Sequence, residues 1–129
     1  MENKELIKLA EKAMKNSYSP YSNFKVGVAL LADSGKVYLG ANIENASYGA
    51  SICAERVAAV KAISEGEKVF KAIAITCSKG TACYPCGICR QFLSEFGDLD
   101  IIVSEDGELV EVEKLSNLLP KNFSAKDLE

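Results

Sequence analysis

The hydrophobic pattern of the chain changes between helical and strand periods several times, and this alternation limits the possible folds more than any other feature. Apolar residues at helical spacing predict an amphipathic helix over residues 3–15. Further helices are predicted over 53–65, 86–96 and 113–117, and strands in 24–40 (two, with a turn at 33–35), 71–77, 100–104 and 108–112. The order α-β-β-α-β-α-β-β-α predicts a layered α/β domain with helices on the faces of a mixed sheet.

Length and charge exclude several classes of protein. The chain has 129 residues, which predicts one domain over residues 1–129 that needs no disulfide framework to fold. The net charge is −3 and Lys and Arg form no dense cluster, so binding to nucleic acid is not expected. No secretory signal and no apolar run of about 20 residues is present, so we expect a cytoplasmic protein that does not act at a membrane.

The residue types that carry chemistry are also restricted. The chain has five cysteines and no histidine. In a cytoplasmic protein, cysteines bind metals, act in catalysis or lie buried more often than they pair. Any zinc site must therefore use thiolates, carboxylates or water, and proton transfer falls to Asp, Glu, Lys, Tyr or Cys.

Two cysteine motifs, CAER (53–56) and PCGIC (85–89), lie where predicted helices begin. Cys86 and Cys89 are three residues apart, so on a helix they share a face and can hold one ion together. Cys53 and Glu55 can converge only if Cys53 lies at the helix cap, where the backbone is not yet helical. Three thiolates leave the fourth corner of a tetrahedron open, which is typical of a catalytic zinc site.

Three thiolates also create an electrostatic problem, because the negative charge they bring opposes lowering the pKa of a water molecule on the ion. Two features can compensate. Each helix N-terminus contributes the equivalent of roughly +0.5 charge. Arg56 and Arg90 lie close to the cysteines in sequence, so we predict that each hydrogen-bonds to a sulfur.

The spacing alone leaves other sites open. Cys83, Cys86 and Cys89 follow one another at double CxxC spacing. They fit a structural four-cysteine zinc site completed by Cys77 or Cys53, a redox pair or an iron–sulfur cluster. Cys77 ends an apolar strand and is interpreted as a core residue, and Cys83 as a loop thiol.

The two motifs, as CAERVA (53–58) and PCGICRQ (85–91), resemble the paired zinc signatures of the cytidine deaminases. The resemblance continues through PYSNFKVGVALL (20–31), ANIENASYG (41–49), AISEGE (62–67) and LLPKNFSAKDL (118–128). It implies a three-layer α/β/α fold with a mixed five-stranded sheet. The implied activity is zinc-dependent hydrolytic deamination of cytidine and 2′-deoxycytidine to uridine and 2′-deoxyuridine plus ammonia, in pyrimidine salvage.

The resemblance also implies roles for individual residues. Cys53, Cys86 and Cys89 would bind one zinc ion per subunit, and Glu55 would move protons between water, N3 of the base and the leaving ammonia. Asn42 and Glu44 would bind the ribose hydroxyls. Residues two apart on extended backbone face one way, and these two offer a donor and a carboxylate to adjacent hydroxyls.

The remaining implied contacts concern the base and the subunit boundary. Phe24 would flank the base, although it is also predicted to open a strand, and Ala54 would contact the base through its backbone. Phe123 in the tail would stack on the pyrimidine of a neighbouring subunit, and Tyr48 would lie at the subunit boundary. The family is homotetrameric. Tyr84 replaces a serine found in many relatives, so the substrate rim near Pro85 is expected to differ.

Three rival functions remain. A deaminase of a nucleotide would need cations for the phosphate, whereas the loop around Asn42 offers the carboxylate of Glu44. A nucleoside antibiotic stays possible as substrate, while the acidic charge argues against an RNA or DNA editor. A structural zinc module or an inactive relative would have no need for Glu55 beside the ligands.

Overall fold

The computed structural model describes residues 1–129, and it contains every predicted helix and strand in the predicted order. The elements are α1 (Asn3–Met14), β1 (Val26–Ala32), β2 (Val37–Ala41), α2 (Ala54–Ser64), β3 (Phe70–Cys77), α3 (Gly87–Ser94), β4 (Asp100–Glu105), β5 (Glu108–Lys114) and α4 (Leu115–Leu118). Two short 3₁₀ helices, Tyr48–Ala50 and Ala125–Leu128, were not predicted. None of the helices has the length and apolar character to cross a bilayer.

The five strands form one mixed sheet in the order β2-β1-β3-β4-β5. β1 pairs antiparallel with β2 and β3, and β4 pairs antiparallel with β5. Only β3 and β4 run parallel, because α3 connects them and returns the chain to the same end of the sheet. The loop after β3 therefore leads directly to the N-terminus of α3, where the second cysteine motif lies.

Helices cover both faces of the sheet, which confirms the three-layer prediction. On one face α1 packs Leu6, Ile7 and Ala10 against a small cluster of strand residues, Ala29, Ala72, Ala74 and Ile102. On the other face α2 and α3 pack against the larger core, in which β1 contributes every second residue from Val26 to Ala32. Side chains that alternate along a strand serve both layers at once.

Two glycines allow the helices to approach the sheet closely. A Cβ at Gly27 would lie 2.5 Å from the Met14 nitrogen of α1. A Cβ at Gly40 would lie 2.7 Å from the Ala58 nitrogen of α2 and would also meet the Ala54 carbonyl oxygen. Since real Cβ atoms do not approach backbone so closely, Gly40 sets how near the start of α2 lies to β2.

Several element boundaries differ from the predictions by one or two residues, among them the starts of β1 and of the last helix. β1 begins at Val26, so Phe24 precedes the strand and does not open it. β5 continues to Lys114, which pairs with Asp100 of β4 and forms an ion pair with it at 2.9 Å. The last helix therefore begins at Leu115 and not at residue 113.

Candidate active site

The N-termini of α2 and α3 bring the two cysteine motifs together. Cys53 is the N-cap of α2 with φ −72° and ψ 153°, and Cys86 is the N-cap of α3 with φ −69° and ψ 170°. Both caps are extended and not helical, as the convergence of Cys53 and Glu55 requires. Cys89 lies in the first turn of α3 and is fully buried.

The sulfurs of Cys53, Cys86 and Cys89 all lie within 4.8 Å of one another, and those of Cys53 and Cys86 are 3.6 Å apart. Tetrahedral zinc with Zn–S bonds near 2.3 Å places its sulfur ligands about 3.8 Å apart. The three thiols therefore fit one zinc ion. Cys86 is exposed, so the cluster can be reached from the surface on the Cys86 side.

No fourth thiol joins the cluster. The Cys77 thiol is buried at the end of β3 and donates to the Thr81 carbonyl oxygen at 3.3 Å. Cys83 packs against the core, and burial beside Cys77 raises its pKa to about 12. The alternatives that require four cysteines are therefore wrong, and Cys77 is the core residue that the sequence predicted.

Arg56 supplies positive charge to the cluster. Its Nη2 lies 3.9 Å from the Sγ of Cys53. Hydrogen bonds donated by the Cys89 thiol and by Arg56 lower the pKa of Cys53 to about 5. The Cys89 thiol that donates has its pKa raised. The folded chain thus already stabilises one thiolate before a metal adds its own charge.

Arg90 does not form the hydrogen bond to sulfur that the sequence predicted. Its Nε donates to the carbonyl oxygen of Pro85 at 2.7 Å, and its Nη1 donates to that of Leu118 at 2.8 Å. Both partners are backbone groups. The side chain turns toward the C-terminal segment because α4 and the residues after it pack beside α3 and offer a free carbonyl there.

Glu55 lies in the first turn of α2 with only 3% of its surface exposed. Burial, with a smaller contribution from the nearby Cys53 charge, raises the pKa of its carboxyl to about 7. Its Oε1 is buried without a hydrogen-bond partner, as is the Nε of Arg56. Buried polar atoms are rarely unpaired, so these atoms indicate that a group beside the sulfurs completes the site.

Asn42 is held by the loop that precedes β1. Its Oδ1 accepts hydrogen bonds from Ser17 Oγ at 2.5 Å and from the Val26 N–H at 2.9 Å. Its Nδ2 donates to the carbonyl oxygen of Phe24 at 2.8 Å. Both acceptor positions of the amide oxygen are filled. The amide therefore has one N–H left to offer to another molecule.

Glu44, two residues after Asn42, hydrogen-bonds to the same loop. Its carboxylate accepts hydrogen bonds from the N–H of Tyr21 at 2.9 Å, the N–H of Ser22 at 3.1 Å and the Ser22 hydroxyl. The Ser22 hydroxyl, followed by these backbone donors, lowers the pKa of Glu44. The carboxylate is therefore ionised and can only accept hydrogen bonds.

The roles of Ser17 and Ser22 were not predicted from the sequence. Ser22 Oγ also accepts from the Phe24 N–H at 3.0 Å, which is a local serine turn next to Asn23 with φ 58°. The serines and proline of the segment 17–24 indicate turns of this kind. They do not indicate which carboxylate or amide the serines contact, because those partners lie 22 and 25 residues away.

Two neighbouring cavities share Glu44 and Ser51. One, of about 180 Å³, is lined by Asn42, Ile43, Glu44, Ser51, Ile52 and Cys53. The other, of about 340 Å³, is lined by Tyr21, Ser22, Glu44, Tyr48 and Ser51. Ile43 bridges to Ile52, the residue before Cys53. The structure thus brings Asn42 and Glu44 together with Cys53 around one opening.

The other predicted site residues differ in their burial. Ala54 is fully buried as the first residue of α2, and Phe24 is partly buried against the core. Tyr48 is 75% exposed, with its ring centroid 5.8 Å from that of Tyr21. Phe123 is 58% exposed and lines neither cavity.

Comparison with known proteins assigns this arrangement to a family. Residues 1–105 match the model of the cytidine and deoxycytidylate deaminase zinc-binding region. The chain belongs to the cytidine and deoxycytidylate deaminase family. This membership, with the cluster of Cys53, Cys86 and Cys89, identifies the ligands of one zinc ion per subunit.

Several members of the family match this one over nearly its full length. It is 45% identical to the cytidine deaminase of Halalkalibacterium halodurans, covering 99% of this chain and 98% of that one. It is 43% identical to a probable cytidine deaminase of Dictyostelium discoideum, covering 95% of this chain and 84% of that one. The crystal structure of cytidine deaminase from Burkholderia pseudomallei superposes with a TM-score of 0.90 at 41% identity, covering 95% of this chain and all of that one.

Proposed function

We propose that this protein is a zinc-dependent hydrolase that deaminates cytidine and 2′-deoxycytidine to uridine and 2′-deoxyuridine plus ammonia, as in pyrimidine salvage. The observation that carries the proposal is the unpaired, buried Oε1 of Glu55 next to three converging thiols. A structural zinc site needs no such carboxyl. The relatives named cytidine deaminase support the choice of substrate.

Glu55 is the proton carrier in this reaction. Zinc held by Cys53, Cys86 and Cys89 supplies, when bound, the polarisation that makes water a nucleophile near neutral pH. The carboxyl of Glu55 takes the proton of the water that adds to C4 and delivers it to N3 of the base. It then passes the second proton to the amino group, which leaves as ammonia. In the zinc-free protein burial raises the pKa of this carboxyl to about 7, and such an environment favours a carboxyl that can hold a proton between the two transfers.

Arg56 and the two helix N-termini balance the charge of the thiolates. Arg56 donates to Cys53, and Cys53 and Cys86 cap the two helices, where backbone N–H groups are unpaired. Drawing electron density away from the sulfurs would make a zinc ion held by them a stronger Lewis acid. Arg90 has no direct part in this, because its donors are used by backbone carbonyls.

The groups left free on Asn42 and Glu44 suit one sugar hydroxyl. Asn42 offers an N–H and Glu44 offers an ionised oxygen, so a hydroxyl can accept from the first and donate to the second. A carboxylate at this position repels a phosphate, which favours a free nucleoside over a nucleotide. Phe24 would flank the base, with the Ala54 backbone beside it.

The resemblance to the family leads us to propose a homotetramer in which subunits complete each other's sites, and the exposure of Phe123 and Tyr48 supports an interface at these residues. Large aromatic side chains exposed to this degree commonly mark an interface. In this assembly, Phe123 stacks on the pyrimidine bound by a neighbour, and Tyr48 lies at the subunit boundary. All five cysteines are unpaired, which supports a reducing, cytoplasmic location for this single deaminase domain.

Turnover by the purified, zinc-loaded protein tests the proposal. We expect loss of the cytosine absorbance with cytidine and 2′-deoxycytidine and none with cytidine monophosphate. Glu55→Ala should keep zinc and lose at least about a hundredfold in kcat. Turnover of only the nucleotide, or full activity in Glu55→Ala, would contradict the proposal. The variant Glu108→Ala, at an exposed strand end, is the matched control.

A further inference from the structure

Arg90 connects two segments that are far apart in sequence. Its Nε hydrogen-bonds to Pro85, the residue before the ligand Cys86, and its Nη1 hydrogen-bonds to Leu118, the last residue of α4. The two carbonyl oxygens lie at 2.7 and 2.8 Å, the distances typical of hydrogen bonds donated by a cation. The planar guanidinium fixes the directions of both bonds relative to each other.

Arg90 also holds the backbone on the other side of Cys86. The Arg90 N–H donates to the carbonyl oxygen of Cys86 at 2.9 Å, as the first hydrogen bond of α3. The Pro85 carbonyl belongs to the peptide unit before the Cα of Cys86, and the Cys86 carbonyl belongs to the unit after it. Fixing both peptide planes fixes φ and ψ of Cys86, and hence the direction of its Cα–Cβ bond, so that only the χ1 rotation of the Sγ is left free.

Cys86 needs this support more than the other ligands do. Cys89 is fully buried and Cys53 is partly buried, so packing restricts their side chains. Cys86 is exposed, and its neighbours Gly87 and Ile88 are exposed as well. Pro85 is buried and has no N–H, so its carbonyl is the only backbone hydrogen-bonding group it offers.

The C-terminal segment (residues 118–123) is attached to α3 by further bonds that do not reach Cys86. Gln91 Nε2 donates to the Phe123 carbonyl oxygen at 3.0 Å, and Asn122 Nδ2 donates to Ser94 Oγ at 3.3 Å. Of the α3 side chains that hydrogen-bond to this segment, only Arg90 also hydrogen-bonds to the loop before Cys86. Gln91 therefore provides a matched control.

We propose that Arg90 is a positioning residue that fixes the orientation of the Cys86 ligand and ties it to the C-terminal segment. The inference rests on the proposed function only in taking the three-thiol cluster as the reaction centre. Arg90 acts through geometry and not through its charge on sulfur. It therefore differs in role from Arg56, although both arginines follow zinc ligands closely in sequence.

The test compares Arg90→Ala, Arg90→Lys and Gln91→Ala in the full-length protein. Zinc transfer to a coloured chelator gives the rate of metal loss, and the visible absorption of the Co²⁺-substituted protein reports how the sulfurs surround the metal. Because lysine cannot donate to both carbonyls in fixed geometry, we expect both Arg90 variants to lose zinc about tenfold faster and to show altered cobalt bands. Gln91→Ala should match the wild type in both measurements.

Two results would overturn the inference. One is a folded Arg90→Lys protein with the wild-type rate of zinc loss and the wild-type cobalt spectrum, which decides the matter even if Arg90→Ala does not fold. The other is faster zinc loss in Gln91→Ala equal to that in the Arg90 variants, since this would show general loosening of α3. Neither measurement needs turnover, so failure to deaminate cytidine would count against the proposed function and not against the role of Arg90.

Discussion

The Nη2 of Arg56 lies 3.9 Å from the Sγ of Cys53, whereas the guanidinium of Arg90 contacts only backbone carbonyls. Two arginines that occupy similar positions relative to the cysteine motifs thus have different surroundings. Arg56 can change the charge on a ligand sulfur. Arg90 can change only where a ligand lies. This difference leads to separate expectations for the two side chains.

Replacing Arg56 by glutamine should make the zinc site more sensitive to acid. Arg56 helps to lower the pKa of Cys53 to about 5, so without its charge protons compete for the sulfur at higher pH. We expect the pH at which half of the zinc is released, and the pH at which activity appears, to rise by about one unit. Zinc retention measured from pH 4 to pH 8 checks this.

Arg90→Gln is the control for charge, because the bonds that Arg90 forms do not reach a sulfur. It should change the rate of zinc loss without moving the pH midpoint. An Arg56→Gln protein with the wild-type midpoint would show that the Cys89 thiol alone stabilises the Cys53 thiolate.

Glu55 should reduce the stability of the zinc-free protein at neutral pH. Its folded pKa of about 7 lies above the ordinary 4.5, so the folded state binds the proton more tightly than the unfolded state. The contribution is therefore most favourable below pH 4.5 and is lost as the pH rises to about 7. Glu55→Gln, which stays neutral, should gain up to about 3 kcal/mol over the wild type at pH 8 and show no such gain at pH 4.

Urea unfolding of the zinc-free wild type and variant at both pH values measures this difference. Glu108→Gln is the matched control, because that carboxyl is exposed and stays solvated in the folded state. Equal stabilities of wild type and Glu55→Gln at pH 8 would mean that water reaches the buried carboxyl and that it ionises at little cost.

The elements of the fold could be predicted because their signals are local, and the zinc ligands could be predicted because the two cysteine motifs resemble the paired signatures of a known family. The helices and strands extend over 4 to 12 residues, and the position of Cys53 at a cap follows from where the helical pattern begins. The contacts of Arg90, Glu44 and Asn42 could not be predicted in the same way. The contacts of Arg90 with Leu118, of Glu44 with Ser22 and of Asn42 with Ser17 join residues 28, 22 and 25 positions apart, and neighbouring sequence does not determine such partners.

Arg90 shows why the local inference failed. Its sequence position next to Cys89 places a cation near sulfur, and this proximity was the basis of the prediction. Whether the guanidinium turns to the sulfur or away depends on what else lies within its reach. In the structure α4 packs against α3 and presents the Leu118 carbonyl oxygen, and the guanidinium turns toward this oxygen and away from the sulfur. Backbone carbonyl oxygens are stronger acceptors than a thiol sulfur, and two of them lie within reach of Arg90.

Glu44→Gln should weaken binding of nucleosides more than it slows the chemical step. The carboxylate accepts from Ser22 and Tyr21 and keeps an acceptor position for a sugar hydroxyl, whereas an amide nitrogen there would donate. We expect KM for cytidine to rise about tenfold with kcat little changed. With 2′,3′-dideoxycytidine, which lacks the 2′- and 3′-hydroxyls, the KM values of the wild type and of Glu44→Gln should differ far less.

Ser22→Ala tests how much the positioning of Glu44 contributes to binding, apart from the charge of its carboxylate. It removes one donor to Glu44 and the acceptor for the Phe24 N–H but leaves the charge in place. Its effect on KM should be smaller than that of Glu44→Gln. If Glu44→Gln lowered kcat and left KM unchanged, Glu44 would act in the transition state and not in binding the sugar.

Gly40→Ala should disturb the zinc site indirectly, by displacing α2. A Cβ at Gly40 would lie 2.7 Å from the Ala58 nitrogen and would meet the Ala54 carbonyl oxygen, so α2 must move away from β2. We expect a loss of about 1–3 kcal/mol in unfolding free energy and faster release of zinc, because Cys53 caps this helix. Gly49→Ala, where a Cβ meets nothing within 4 Å, is the matched control. Wild-type stability and zinc retention in Gly40→Ala would mean that α2 can shift without moving its cap, and that the spacing between this helix and β2 does not set the position of Cys53.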